Sequence, residues 1–420
     1  MIDAIFDKIQ VDYFHNPHSN PKSTYPDRLQ EVFDTVASQK AIEEICRWPG
    51  YSTTPLLSLD GLARELGIGG VYYKDEGGRF GLGSFKSLGG AYEVLCLLQR
   101  EVSGRVGREV SFENIRNGNY AEIVKEITVV TATDGNHGRS VAWGAQLFGC
   151  RCVIYIHSGV SARRKTAMEE FGAKVVRING NYDESVTMAA EAAATNNWFI
   201  VSDTSYEGYT DLPKHVMAGY TVMAAEIAGQ LPKNLELTHT FVQGGVGGLA
   251  GALCGYLWQT LGSARPRFVV VEPNRADCLF QSAKNGKPTD IKITDETIMA
   301  GLSCGKVSYL GWQILSDGAD DFMTIPDELI APVMRLLAEG TYSPVPVVAG
   351  ESAVAGLAAL IVACRNPDLR SSLGLDKHSR ILLIGTEGAT DPDIYRSIVG
   401  RTAEEVRSSL NRHEVSVRLS

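Results

Sequence analysis

The sequence predicts an α/β protein of two lobes, each built on an open, mostly parallel sheet flanked by helices. Three observations predict it. From Ile127 to Val201 short β-branched runs alternate with helical stretches, the pattern of βαβ units and parallel sheets. The same alternation resumes from Thr221 to Val271. At 420 residues the chain carries more strand–helix pairs than one core usually holds, so two domains are expected. The cleft between lobes is then the default site.

The elements follow in order. One amphipathic helix is expected around Arg28 to Trp48. Thr53-Thr54-Pro55-Leu56-Leu57 opens an extended segment, since the residue before proline avoids the helical region. Val71 to Glu76 reads as a strand leading into a glycine-bearing loop, and Ala91 to Leu98 as a helix with apolar residues three and four apart. Glu101 to Asn119 is polar and reads as loop with a short helix. Then come strands at Ile127–Thr131, Cys152–Ile156, Lys174–Ile178 and Trp198–Val201, with helices at Arg139–Phe148, Ala162–Phe171 and Tyr182–Ala193 between them. Helices at Thr221–Ala228 and Leu249–Thr260 alternate with strands at Thr238–Val242 and Arg267–Val271. A less regular region runs to about Asp321. Asp327–Glu339 and Glu351–Ala363 read as helices and Arg380–Gly385 as the last strand. The expected division is a large domain of residues 1–88 and 222–420 and a small domain of residues 89–221.

Composition excludes several partners. Net charge is −9 with no basic block, so neither nucleic acid nor an anionic membrane is an expected partner. No apolar run is long enough to span a bilayer. Met1-Ile2-Asp3-Ala4 lacks the basic and apolar regions of a secretory signal, so a cytoplasmic protein is expected. The eight cysteines are scattered without a Cys-x-x-Cys or Cys/His quartet, so no metal site is expected. Cys278 and Cys304 fall in the irregular region. They could be a redox pair, but free thiols are the expectation for a reducing compartment.

Four features carry chemistry. Gly81-Leu82-Gly83-Ser84-Phe85-Lys86-Ser87-Leu88-Gly89-Gly90-Ala91 puts Lys86 at a loop-to-helix boundary. Many lysines there are ordinary surface groups. Yet a desolvated lysine beside the positive end of a helix has a lowered pKa, as a nucleophilic or Schiff-base amine needs. Thr131 to Arg139 (Thr-Ala-Thr-Asp-Gly-Asn-His-Gly-Arg) joins a strand to a helix; its N–H groups suit an anion and Asn136 adds an amide donor. Plain capping is the rival explanation. His137 could be a base; a structural role is preferred, because its neighbours already supply the chemistry. Gln243 to Gly251 follows a strand and opens a helix, and its glycines let N–H groups curl round a phosphate. A dinucleotide fingerprint fits poorly, because the spacing is Gly-Gly-x-Gly-Gly and the end of the next strand lacks a clear acidic partner, Glu272 there being followed by Pro273. Gly385 to Asp391 places the hydroxyl of Thr386 at the end of the last strand, where open sheets bind ligands. A desolvated lysine, a phosphate cup, an amide donor and a neutral hydroxyl together describe a pyridoxal phosphate site. Lys86 would form the Schiff base, the glycine loop would hold the phosphate, and Asn136 and Thr386 would meet the phenolic oxygen and the pyridine nitrogen.

The chain resembles the fold-type II (tryptophan synthase β-like) pyridoxal phosphate enzymes and, within them, the diaminopropionate ammonia-lyase family. The residues that carry the resemblance are Lys74-Asp75-Glu76, Arg79 to Leu82 with Phe85-Lys86 and Leu88 to Tyr92, and Thr133 to Arg139. They continue with Asp203-Thr204, Glu207 to Thr210, Gly245-Val246-Gly247, Val271-Glu272-Pro273, Met299 to Leu302, Gly350-Glu351-Ser352 and Thr386-Glu387-Gly388. The match runs from about Tyr51 to the last strand. Asp134 distinguishes it from related dehydratases; Ala389 departs from it, an acidic residue being expected there.

The resemblance implies α,β-elimination of 2,3-diaminopropionate to pyruvate and ammonia, with pyridoxal 5'-phosphate as cofactor and a homodimeric assembly. It implies Lys86, Asp134 and Asp203 as catalytic residues. Lys86 would be the base on one face of Cα and Asp134 a second acid/base group on the other, its pKa expected to be raised. Asp203 would hold the substrate's β-ammonium. Cofactor contacts are expected from Phe85, Lys86, Asn136, Gly244, Gly245, Val246, Gly247, Gly248 and Thr386. Contacts with the small amino-acid substrate are expected from Thr133, Asp134, Gly135, His137, Asp203 and Ala300. Three alternatives stay open on sequence alone. One is β-elimination or β-replacement on serine, threonine or an O-activated serine. Another is a binding protein on a retired enzyme fold, and the third a nicotinamide oxidoreductase.

Overall fold

The structure, a computed structural model, describes residues 2–20, 23–133 and 135–409. Its strands, in chain order, are β1 (Tyr13–His15), β2 (Leu56–Ser58), β3 (Gly70–Asp75), β4 (Thr128–Ala132), β5 (Arg151–Ile156), β6 (Lys174–Arg177), β7 (Phe199–Ile200), β8 (His239–Gln243), β9 (Arg267–Pro273), β10 (Asp321–Ile325) and β11 (Arg380–Gly385). Two compact units contain them: Met1–Val32, Thr53–Ser84 and Met223–Ser420 in one, Phe33–Ser52 and Phe85–Val222 in the other.

The larger unit holds a seven-stranded sheet in the order β1-β10-β9-β8-β11-β3-β2. Its five inner strands are parallel, and the short edges β1 and β2 run antiparallel. Inner strands covered on both faces read as unbroken apolar runs, as Val269-Val270-Val271 and Ile381 to Ile384 do; all seven are buried. The helix Ala355–Arg365 is buried along Ala355–Cys364, as a helix apolar all round must be. Register decides where the loops fall. Leu383 pairs with Phe241, so neighbouring β11 and β8 end on one edge and release Thr386 and Gly244 there. The chain leaves β8 toward β9 on one side and has β11 on the other, the kind of switch point at which open parallel sheets take ligands.

The smaller unit has a parallel four-stranded sheet, order β6-β5-β4-β7. Val130 pairs with Ile200, so the loops after β4 and β7, with His137 and Asp203, share one edge. The helix that begins at Lys86 (Lys86–Val106) packs against Asn136–Phe148 at backbone distance: a Cβ on Gly144 would stand 2.7 Å from Ala91 Cα. The Ser140 hydroxyl accepts the Ala91 N–H at 3.1 Å.

Several elements differ from expectation. Residues 33–52 belong with the smaller unit. The cause is Trp48, 3 % exposed, whose ring meets Trp143, Phe148 and Tyr92 at 5.8, 5.6 and 6.5 Å; an aromatic of this size buries roughly 150–250 Å². The single helix expected over Arg28–Trp48 is two, Asp27–Gln30 and Thr35–Ile45, the second capped by the Asp34 carboxylate accepting from Ala37. The stretch expected to be irregular contains helices Cys278–Asn285 and Tyr309–Gly318. The segment from Thr221 is part of a 20-residue helix, Asp211–Gln230. All eight cysteines are thiols, so Cys278 and Cys304 form no disulfide.

Candidate active site

In the smaller unit the chemistry gathers on Lys86. It is the first residue of its helix, with Phe85 at the N-cap, so the loop-to-helix placement expected from the glycines holds. Its Nζ is paired with the Asp203 carboxylate. The Phe85 ring lies beneath the amine at 5.8 Å and packs on Tyr220 at 4.7 Å. Both partners are largely buried. Burial pushes the Asp203 carboxyl up, but the Lys86 ammonium, through its charge and its hydrogen bond, more than offsets it and holds it well below the usual range.

His137 is 5 % exposed and its Nε2 lies 3.0 Å from the Val201 carbonyl. A carbonyl can only accept, so Nε2 carries the proton and Nδ1 the lone pair. Nδ1 stands 3.9 Å from Asp203 Oδ2 and has no hydrogen-bond partner among the described residues. Burial pushes the imidazole pKa down and Asp203 restores only part of it, so the ring is neutral. Thr133 accepts the N–H groups of Gly135 and Gly138 at 3.1 Å each, closing the turn onto the helix that Asn136 opens. Asp134 lies outside the described residues.

In the larger unit the loop after β8 is a curled cup. Gly244 donates to Val271 O at 2.9 Å and Gly247 to Gly244 O at 3.1 Å. Gly247 has φ +103°, reserved in practice for glycine, and a Cβ on Gly244 would stand 2.6 Å from Glu272 Cγ. The helix Gly248–Leu261 then begins, and its first N–H groups have no intrahelical acceptor. Gly245 and Val246 lie between these fixed points. Glu272, the acid at the end of the next strand, is fully buried and turned inward. It accepts from Leu279 and Phe280 N–H at 3.0 and 2.7 Å, and burial pushes it up to about 8.

Thr386 is 4 % exposed and its hydroxyl has no partner among the described residues. Its loop is fixed by Glu387, whose Oε1 accepts the Ser352 N–H at 3.1 Å; Ser352 Oγ in turn accepts from Gly301, beside Ala300. A buried hydroxyl left open and a glycine cup at a helix start are what a pyridine nitrogen and a phosphate require. The residues present therefore fit pyridoxal phosphate.

Sequence reasoning gave no role to a buried charge cluster that anchors the chain leading to Lys86. Lys74 and Arg79 are 0 and 1 % exposed. Glu226 accepts from Lys74 Nζ at 2.6 Å and from Arg79 at 2.7 and 2.8 Å, and Glu76 takes the rest of the guanidinium at 2.8 Å. Lys74 also donates to Thr54 O and Gln230 Oε1. Next along the chain, Phe80 has φ +51°, a conformation costing a non-glycine residue about 1–2 kcal/mol. The clamp on Arg79 over-determines that turn. Lys74-Asp75-Glu76 and Arg79 were visible as residues, but Glu226, far along the chain, gave no signal.

Known proteins match most of this chain. The family model for pyridoxal-phosphate dependent enzymes matches residues 47–387. A diaminopropionate ammonia-lyase of Salmonella typhimurium is 39 % identical, covering 84 % of this chain and 90 % of its own. The crystal structure of diaminopropionate ammonia lyase from Escherichia coli, in complex with an aminoacrylate-PLP azomethine reaction intermediate, superposes with a TM-score of 0.83. It is 35 % identical, over 93 % of this chain and 97 % of that one. Threonine deaminase isoform 2 from Solanum lycopersicum shares the fold, with a TM-score of 0.70 at 18 % identity over 95 % of this chain and 99 % of that one. The fold is thus fold-type II and the cofactor is pyridoxal 5'-phosphate, and the chain belongs to the pyridoxal-phosphate dependent enzymes and, among them, to the diaminopropionate ammonia-lyase family.

Proposed function

We propose that the chain catalyses α,β-elimination of 2,3-diaminopropionate: one water is consumed, and pyruvate and two molecules of ammonia are released. The observation that supports this most is the ion pair of Lys86 with an Asp203 held ionised in a largely buried place. An ionised carboxylate there suits a substrate with a second ammonium group, and the amine beside it suits proton transfer at Cα.

Bound pyridoxal phosphate supplies the electron sink for the carbanion at Cα. The N–H groups of Gly244 to Gly248 would hold its phosphate, and Asn136, Thr386 and Phe85 would hold its ring. Lys86 moves the Cα proton on one face and Asp134 on the other. Asp203 holds the β-ammonium until it leaves. Thr133, Gly135, His137 and Ala300 would contact the substrate. At the pyridine nitrogen the hydroxyl of Thr386, unlike a carboxylate, would leave the ring less protonated, which would favour prompt loss of the β-group over transamination.

Turnover of L- and D-2,3-diaminopropionate beside L- and D-serine tests the reading. Asp203→Asn is expected to lower kcat/KM for both diaminopropionate isomers about 10- to 100-fold, the value of a charged hydrogen bond. The loss on serine, which lacks the β-ammonium, should be smaller; an equal loss on serine contradicts the role. Asp134→Asn should abolish use of the D-isomer and leave some use of the L-isomer. A wild-type protein that consumes serine and ignores diaminopropionate overturns the substrate.

A cytoplasmic homodimer is part of the same proposal. Among the described residues no helix is long and apolar enough to cross a membrane, and the net charge of −9 offers nothing to nucleic acid. A monomer mass in sedimentation at working concentration contradicts the dimer.

A further inference from the structure

Behind Asp203 the smaller unit holds a second buried carboxyl group that the mechanism does not use. Glu93 is on the helix Lys86–Val106, seven residues on from Lys86 and so on the same face, and is 0 % exposed. The Tyr209 hydroxyl lies 3.2 Å from Glu93 Oε1 and 3.0 Å from the Ile200 carbonyl, and it accepts the Ser202 N–H at 3.3 Å. A phenol has one proton, and the Ile200 carbonyl can only accept. If the Tyr209 proton goes to Ile200, the nearer oxygen, the contact with Glu93 is a hydrogen bond only when the carboxyl donates. Glu93 Oε2 has no partner among the described residues, which a buried carboxylate would not tolerate. Burial pushes Glu93 well above the usual carboxylate range, and the charge of Asp203 adds to the rise.

Tyr209 closes the turn that displays Asp203. Tyr206 and Tyr209 exchange backbone hydrogen bonds at 3.3 and 2.9 Å, and their rings stack at 5.1 Å. Ser202 Oγ accepts from the Thr204 N–H at 3.2 Å. One phenol thus ties both ends of Ser202–Tyr209 to β7, through Ile200, and to the helix of Lys86, through Glu93. We propose that Glu93, a neutral acid acting through Tyr209, is a positioning residue that holds the Ser202–Tyr209 turn and with it the Asp203 carboxylate at Lys86. The proposal rests on the role of Asp203 given above.

The test compares holoenzymes carrying Glu93→Gln, Glu93→Leu, Asp203→Asn and the Glu93→Leu/Asp203→Asn pair. Two quantities are read: amide hydrogen exchange over Ser202–Tyr209, and kcat and KM for L-2,3-diaminopropionate. Glutamine still donates, so Glu93→Gln should stay within about threefold of the parent kcat/KM with unchanged exchange. Leucine fills the space without a donor, so Glu93→Leu should speed exchange in this turn and lower kcat/KM about 10- to 100-fold. In the Asp203→Asn background the further loss should be below about threefold, because the carboxylate being positioned is gone. Should Glu93→Leu not fold, Tyr209→Phe cuts the same link from the other side and takes its place. Unchanged exchange in the variant lacking the link, a Glu93→Gln as damaged as Glu93→Leu, or losses that multiply in the pair would overturn the proposal. Parent-like turnover in Asp203→Asn overturns instead the role of Asp203, while the exchange data report on the link by themselves.

Discussion

Replacing Lys86 by alanine is expected to lower kcat for L-2,3-diaminopropionate by about ten-thousand-fold or more, with the fold intact. The proposed amine has two tasks, covalent attachment of the cofactor and proton transfer at Cα; loss of an acid/base group alone typically costs about a hundred- to ten-thousand-fold. The substitution also leaves Asp203 without the ammonium that holds it ionised, so burial pushes its carboxyl back up. Some cofactor should remain, held by the glycine cup. Steady-state rates with cofactor content measured alongside check this. A loss smaller than about a hundredfold would mean that another group moves the proton.

Glu226→Gln should have the largest effect on stability, a loss of about 3–5 kcal/mol, because it leaves buried cations short of a partner. The carboxylate serves Lys74 and Arg79, both without exposure to speak of, and Glu76 cannot serve both. Burial pushes the Glu226 carboxyl up, but hydrogen bonds and charges from Arg79 and then Lys74 more than offset it, so its folded pKa is lowered. The sign follows from linkage: its contribution is fully present above the unfolded carboxyl pKa of about 4.3 and is lost as pH falls through the folded value. Urea midpoints of parent and variant measure it. A difference near 1 kcal/mol or less, of the order of an exposed ion pair, would contradict a buried clamp. Turnover should suffer as well, since the strained turn at Phe80 leads to Lys86.

The parts of the fold legible in the sequence were those with local signals. β4, β5, β8, β9 and β11 are β-branched runs between turns, and Lys86 was recognisable as a helix start from its glycines. β10 was missed because it begins with Asp321, a carboxylate buried where Arg267, Tyr13 and His15 meet it. β1 is a three-residue edge that pairs across some three hundred residues, and no local pattern encodes that. The site divided in the same way. The glycine cup and Thr386 follow strands and could be placed by rule, whereas Asp203 came from resemblance alone. Its pairing with Lys86, like that of Glu93 with Tyr209, joins residues more than a hundred apart. Spacing along a chain cannot show contacts that only the sheet order creates.

Borohydride reduction of the holoenzyme, followed by peptide mapping, fixes pyridoxal phosphate on the lysine that carries it. A single labelled peptide containing Lys86 is the expected result, with labelling lost in Lys86→Ala. Label on any other lysine, with Lys86 unmodified, would contradict the assignment of the site.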